Sequence, residues 1–267
     1  MWNGKTVSVA LPTYNEQASI RACIDGFFAT GVVDEVVVCN NNAAPGTSEE
    51  VARTRAREVI ETRQGYGWSC QRALAETTGD LIVLSEPDGS FEPNDIHKLL
   101  AYAHDFDVVL GSRTNTELIW TGANMGWWLK WGNWAVAKYM EFLFNTTTLT
   151  DVGCTMRLVT RDVLERIQPH FTVGGSQFGP EMMMLCIWSG AHLIEIPLNY
   201  KQRVGESAVT GDRGKAIALG VQMIGLISQF RTRTAVGQGP DLSRGGFANP
   251  RRDAATPLTA DKRGATR

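Results

Sequence analysis

Along the first part of the chain, short apolar runs alternate with stretches whose apolar positions recur at helical spacing. Val7 to Leu11, Glu35 to Cys39, Glu58 to Glu61, Leu81 to Leu84 and Val108 to Gly111 read as strands. Between them the pattern predicts helices from about Glu16, from about Thr47, through Trp68 to Glu76, and from about Asn94. Strands that are nearly continuous Val, Ile and Leu, separated by helices, belong to a mainly parallel sheet covered on both faces. The predicted class is α/β, an architecture of the nucleotide-binding type.

The pattern then changes. Trp120 to Asn145 is a long aromatic, helix-like stretch, followed by Asp151-Val152-Gly153-Cys154-Thr155-Met156-Arg157-Leu158-Val159 and a helix from Arg161. A helix around Glu181 to Trp188 leads to a strand, Leu193 to Ile196, and then to Arg203-Val204-Gly205-Glu206-Ser207. These later pieces are expected to complete the sheet and close over its ligand site. From Ala235 onward Gly, Pro, Arg, Thr and Asp dominate, with six Lys or Arg facing three Asp and no hydrophobic period. Such a composition buries too little apolar surface to order itself. The expected organisation is one domain over residues 1–234 and a disordered tail over 235–267.

Composition narrows the field. With 267 residues, 43% hydrophobic and 20% charged, the chain can bury a full core. A net charge of -2 argues against nucleic acid as the main partner, because phosphate-backbone binding leaves a basic excess. The five cysteines, Cys23, Cys39, Cys70, Cys154 and Cys186, are odd in number, widely spaced and mostly set in apolar runs. Neither a disulfide framework nor a zinc site is indicated, and a reducing cytoplasm is expected. The opening residues lack the charged start and apolar stretch of a signal peptide. The longest membrane candidate, Ala216 to Phe230, is too short to span a bilayer and is interrupted by Gln222, Ser228 and Gln229. The expected location is cytoplasmic, with peripheral contact on the inner membrane face. His97, His104, His170 and His192 do not cluster at metal-ligand spacing, and no G-x-S-x-G, Walker loop or G-x-G-x-x-G is present.

In open α/β sheets ligands bind at the carboxyl ends of strands, so the polar residues that follow each apolar run are where chemistry is expected. Four ends stand out: Leu11-Pro12-Thr13-Tyr14-Asn15-Glu16, Val38-Cys39-Asn40-Asn41-Asn42, Leu84-Ser85-Glu86-Pro87-Asp88-Gly89-Ser90, and Gly111-Ser112-Arg113. A carboxylate pair such as Glu86 and Asp88 suits a hard cation, Mg2+ or Mn2+, which takes oxygen ligands and fills its shell with waters and phosphates. The alternative for an isolated Glu-Pro-Asp is a solvated turn capping the next helix. Its place directly after Leu81-Ile82-Val83-Leu84 favours the cation.

Taken in order, these ends resemble the family 2 glycosyltransferases over about Val7 to Ser207. Pro12-Thr13-Tyr14-Asn15-Glu16 is similar to that family's P-x-Y-N-E, Gly65-Tyr66-Gly67 to its G-x-G, Gly79-Asp80 to its G-D, and Glu86-Pro87-Asp88 to its D-x-D with Glu in first place. The resemblance implies the three-layer, Rossmann-like GT-A fold with a mainly parallel mixed sheet. It also implies a nucleotide-diphosphate sugar donor bound by Pro12, Tyr14, Glu16, Asn40, Gly65, Gly67, Glu86, Asp88 and Arg113, with Glu86 and Asp88 on the metal. Two departures stand out: Asn40-Asn41-Asn42-Ala43 replaces the usual Asp-Asp-Gly-Ser, and Tyr66 stands where a basic residue is common. The later segments Asp151 to Arg157 and Arg203 to Ser207 resemble the D-x-x-x-G-F-R and R-x-G-x-S of dolichyl-phosphate mannose synthase-like enzymes, the first inexactly, since no Phe precedes Arg157.

That likeness places Arg113, Arg157, Arg203 and Ser207 on phosphate or acceptor, and makes Asp88, Asp151, Glu181 and Arg203 the candidate catalytic residues. For Arg157 and Arg203 the alternative is a structural ion pair, and for Glu181 a carboxylate at a helix N-terminus. A hydroxyl acceptor needs a general base, for which Asp151 or Glu181 is the candidate; a polyprenyl phosphate is already ionised and needs only positioning and charge compensation. Three functions follow: transfer to a polyprenyl phosphate, transfer to a hydroxyl of a soluble molecule or glycan, or a noncatalytic nucleotide-sugar-binding module. Five of the eight tryptophans, Trp120, Trp127, Trp128, Trp131 and Trp134, lie in one segment beside Lys130 and Lys138. They suit either a membrane interface or a packed helix, and imply no particular oligomeric state.

Overall fold

The computed structural model describes residues 1–123, 127–205 and 213–242. The strands are β1 (Val7–Thr13), β2 (Glu35–Asn40), β3 (Arg57–Ile60), β4 (Leu81–Leu84), β5 (Val108–Ser112), β6 (Arg157–Thr160) and β7 (Leu193–Pro197). The helices are α1 (Ile20–Ala29), α2 (Thr47–Ala52), α3 (Tyr66–Ala75), α4 (Ile96–Tyr102), α5 (Trp127–Phe144), α6 (Arg161–Ile167), α7 (Phe178–Trp188) and α8 (Arg213–Ala235). The seven strands form a single sheet in the order β3-β2-β1-β4-β6-β5-β7. Only β6 runs antiparallel to its neighbours, so the expected mainly parallel mixed sheet is observed.

Alternation along each strand splits the core into two layers. Val7, Val9 and Leu11 of β1 and Leu81 and Val83 of β4 join the side chains of α1 and α4. Ala10, Ile82 and Leu84 face the other way, onto α3, α6 and α7. Both layers are almost fully shielded from solvent, which explains why these strands are apolar at nearly every position rather than at every second one, Ser8 being a buried exception. Gly79 and Asp80 stitch β4 to β1: the Gly79 amide donates to Ser8 Oγ (2.8 Å), and Asp80 Oδ2 accepts from the Thr6 amide (2.8 Å).

Two boundaries differ from expectation for local reasons. Helix α1 begins at Ile20 rather than near Glu16, because Glu16 Oε2 turns back to accept from the Tyr14 and Asn15 amides (2.7 and 2.9 Å), holding the chain in a turn. Helix α8 is longer than its apolar stretch and runs into the segment read as a tail. The described part of that tail packs on the domain: Trp188 Nε1 donates to the Pro240 carbonyl (3.1 Å), and Leu242 is buried. Residues 243–267, which make up most of the expected tail, lie outside the described residues.

Candidate functional site

The carboxyl ends of β1 and β4 are adjacent because these strands pair in parallel. Leaving β4, the chain makes a turn fixed from both sides. Ser19 Oγ of the α1 entry donates to the Pro87 carbonyl (2.7 Å), and Asp88 Oδ1 accepts from the Ser90 amide and hydroxyl (2.8 and 2.6 Å). Gly89 completes the turn at φ +77°, a conformation that disfavours any side chain. Asp88 is thereby buried, at 1% exposure, while Glu86 is partly buried beside it. Burial, and then repulsion from Asp88, push the Glu86 carboxyl up to about 7. Thr155, Arg203 and Arg113 work in the opposite direction.

The segment after β7 folds back over this turn. The Val204 amide donates to the Asp88 carbonyl (2.8 Å), and the Lys201 amide to that of Ser90 (2.7 Å). Arg203 then reaches both acidic ends: Nε lies 3.3 Å from Asp88 Oδ2 and NH2 3.3 Å from Glu16 Oε1. Burial disfavours its charge, but Asp88, Glu86 and Glu16 hold the guanidinium pKa above its ordinary value. Arg113, from the end of β5, stacks 5.1 Å from the Tyr200 ring centre. Glu16, Glu86, Asp88, Arg113 and Arg203 are thus one cluster at the strand ends, with Pro12 in β1 and the exposed Tyr14 on its margin. Ser207 lies outside the described residues.

Other expected site residues are held elsewhere. Asp151 is buried and both its oxygens are engaged: Arg113 donates from its amide, Nε and NH2 (3.0, 2.9 and 3.0 Å), and the Gly153 amide donates as well (3.0 Å). Its observed work is to aim Arg113. Glu181 accepts from the Thr172 amide and hydroxyl (2.9 and 2.6 Å) through Oε1 and from the Val173 amide (3.0 Å) through Oε2. It clamps the loop before α7 rather than facing the cluster. Arg157 points its donors at the carbonyls of Thr155, Gly179 and Cys154, which makes it a buried brace between β6 and α7.

The second strand end is likewise self-satisfied. Asn40 donates to Ser48 Oγ and Glu58 Oε1 (both 3.0 Å), and Asn41 ties down the stretch before α3 through the Glu61 and Arg63 carbonyls (2.7 and 2.8 Å). Gly65 and Gly67 serve close packing: a Cβ at either would meet the Gly174 or Val173 carbonyl oxygen at 2.3 or 2.2 Å. The Gly67 amide donates to the Gly174 carbonyl (2.9 Å), so the first turn of α3 is capped by protein.

Two residues of the cluster escape a reading of motifs. Tyr200 follows β7, and the strand-end rule applied to that strand would have reached it. Thr155, whose hydroxyl donates to Glu86 Oε1 (2.7 Å), arrives only because β6 inserts antiparallel beside β4, a pairing with no local signal.

The donor set fits a hard divalent cation: two neighbouring carboxylates, one of which is reluctant to ionise beside the other. Among the described residues no group of three or more His, Cys, Asp or Glu could hold a metal by itself. Such a cation would complete its shell with waters and ligand phosphates.

A doubly covered, mainly parallel sheet with an acidic pair and two arginines at its strand ends defines a nucleotide-sugar-handling enzyme class. The family model for glycosyl transferase family 2 matches residues 8–168, and the chain belongs to that family. A low-salt glycan biosynthesis hexosyltransferase of Haloferax volcanii is 29% identical over 76% of this chain, which spans 49% of that protein, about half its length. A dolichyl-phosphate hexose transferase of the same organism is 27% identical, covering 85% of this chain and 96% of its own. An undecaprenyl-phosphate mannosyltransferase of Micrococcus luteus is also 27% identical, over 77% and 88%. Among solved structures, glucosyl-3-phosphoglycerate synthase of Mycobacterium tuberculosis superposes with a TM-score of 0.64 at 19% identity, over 89% of this chain and 82% of that one. The fold is GT-A.

Proposed function

We propose that this glycosyltransferase moves a hexose from a nucleotide-diphosphate sugar to a polyprenyl phosphate, with a divalent cation on Glu86 and Asp88. The observation that carries the acceptor class is the state of the two base candidates. Asp151 and Glu181 both have their carboxylate oxygens engaged in protein hydrogen bonds. A hydroxyl acceptor must lose a proton as it attacks, whereas a phosphate oxygen is already a nucleophile at neutral pH. With these two candidates occupied, and Glu86 and Asp88 assigned to the cation, a site with two arginines suits the second. The names of the dolichyl- and undecaprenyl-phosphate relatives point the same way.

When bound, the cation supplies Lewis-acid stabilisation of the departing diphosphate. The chain's own residues do the rest. Asp88, fixed by Ser90, presents a preformed carboxylate. Arg113, aimed by Asp151, brings a guanidinium to the donor side, and Arg203, on the segment that closes over the turn, brings a second to compensate phosphate charge. Arg203 also pairs with Asp88 and Glu16, which compensates the charge of both carboxylates.

A lipid acceptor requires access to a bilayer. Trp131, Trp134 and Phe142 of α5 and Ile217, Val221 and Ile224 of α8 are exposed, and the same helices carry Lys130, Arg231 and Arg233. No helix among the described residues is long and apolar enough to cross a membrane. Exposed aromatic and aliphatic side chains on helices that also carry basic residues support peripheral contact at headgroup depth. Trp127 and Trp128 are part of the same segment; the side chain of Trp120 instead lies 4.7 Å from Lys201 Nζ and donates to Asn199.

The reading is tested by following nucleoside diphosphate release from a panel of nucleotide sugars with Mn2+. Added polyprenyl phosphate is expected to raise the rate. If several such lipids leave it unchanged while a soluble hydroxyl acceptor raises it, the acceptor class is wrong.

A further inference from the structure

Glu86 and Tyr66 are two of the positions where this chain departs from the side chains its family resemblance leads one to expect, and the structure joins them through a third residue. Tyr66 is the first residue of α3, Thr155 precedes β6 and Glu86 follows β4. The Tyr66 hydroxyl lies 3.2 Å from Thr155 Oγ1, which lies 2.7 Å from Glu86 Oε1. The antiparallel register that pairs Leu84 with Arg157 carries on past the strand ends to set Glu86 opposite Thr155.

With Glu86 ionised, as a metal ligand must be, chemistry fixes the direction of this chain of bonds. Threonine has one hydroxyl proton, and the shorter contact, to a carboxyl oxygen, takes it. The threonine oxygen is then an acceptor, and the tyrosine O–H supplies its proton. Tyr66 packs its ring against the core formed by α3, α6 and α7, so its hydroxyl does not wander. A glutamate has one more rotatable bond than an aspartate, and a metal ligand is useful only when its head group is held in place.

We infer that Tyr66 and Thr155 are positioning residues, a two-hydroxyl relay that fixes the Glu86 carboxylate and lets glutamate serve where a shorter acid would otherwise be needed. The inference rests on the reading of Glu86 and Asp88 as a cation site, and goes beyond it by assigning the residues that orient one ligand. The role of both is exerted through Glu86.

The test is the affinity for Mn2+ alone, with the free ion read by electron paramagnetic resonance. Thr155→Val is expected to weaken binding about tenfold, the lower end of what loss of an outer-shell partner costs. Tyr66→Phe weakens it less, in the same direction, and Thr155→Ser stays within about twofold of wild type because the hydroxyl is restored. Glu86→Asp binds Mn2+ differently from wild type, but Thr155→Val added to it has no further effect, since the shorter side chain no longer reaches residue 155. Thermal unfolding confirms that each variant is folded. The relay is overturned if Thr155→Val and Tyr66→Phe both bind like wild type, if Thr155→Ser is as weak as Thr155→Val, or if the full loss persists in the Glu86→Asp background. Asp88→Asn separates the two readings. If it weakens Mn2+ binding while Thr155→Val does not, the relay alone falls; if it too leaves binding unchanged, the cation site falls and the relay with it.

Discussion

Asp88 and Glu86 do different things although they sit two residues apart. Asp88 is buried and already organised by Ser90, so Asp88→Asn should keep the fold while turnover falls on the order of 10²-fold, the cost of removing one preorganised electrostatic group. Matching melting temperatures and a steady-state assay check both halves. Glu86 instead carries strain in its ionisation. Its carboxyl titrates near 7 in the folded protein, above its ordinary value of 4.5, so the folded state is favoured by its neutral form. That contribution is fully present below about 4.5 and is lost as pH rises through about 7. Metal-free Glu86→Gln should therefore be more stable than wild type at pH 8, by on the order of 2 kcal/mol, and the gap should close as pH falls toward 5. Urea unfolding at both pH values reads it; a constant gap would show that burial and Asp88 do not set the titration. At this scale the sequence was informative where chemistry sits at a strand end, as with Glu16, Glu86, Asp88 and Arg113. It was silent on which polar side chains are consumed internally, because the partners of Asp151, Glu181 and Arg157 come from segments whose approach is decided by packing.

The elements themselves were largely legible. Strand β4 begins and ends where the apolar run does, and β1, β2, β5 and β7 extend the expected runs by at most two residues. What periodicity could not reveal was the insertion of β6 between β4 and β5, a pairing of residues far apart in sequence that delivers Thr155 to the cluster. The loop before α7 was also opaque. Val173 and Gly174 bond to the first turn of α3 and Gln71, and Glu181 clamps the same loop from behind. Gly67→Ala should cost about 1–3 kcal/mol in denaturant unfolding, since its Cβ would sit 2.2 Å from the Val173 oxygen and the loop must move. Glu181→Gln should likewise lose about 1–3 kcal/mol of stability while keeping most of its turnover. A loss of more than a hundredfold in turnover at unchanged stability would make Glu181 the catalytic base after all.

For the whole molecule, the sheet brings acidic and basic groups from β1, β4, β5 and the segment after β7 to one edge, while α5 and α8 pack on each other and expose apolar side chains. Liposome flotation should recover the protein with anionic vesicles, and replacing Trp131 and Trp134 together with alanine should reduce recovery without changing the melting temperature by more than a few degrees. Recovery equal to wild type would remove α5 from the contact.

The central claim is that the acceptor is a phosphate, whose oxygen attacks the donor sugar and displaces the nucleoside diphosphate without a protein base. The most direct measurement compares two lipids of identical chain, undecaprenyl phosphate and undecaprenol, as stimulants of Mn2+-dependent nucleoside diphosphate release. The account predicts that the phosphate accelerates release and forms a glycosylated lipid, while the alcohol leaves the rate at background. Equal or greater stimulation by the alcohol would contradict it.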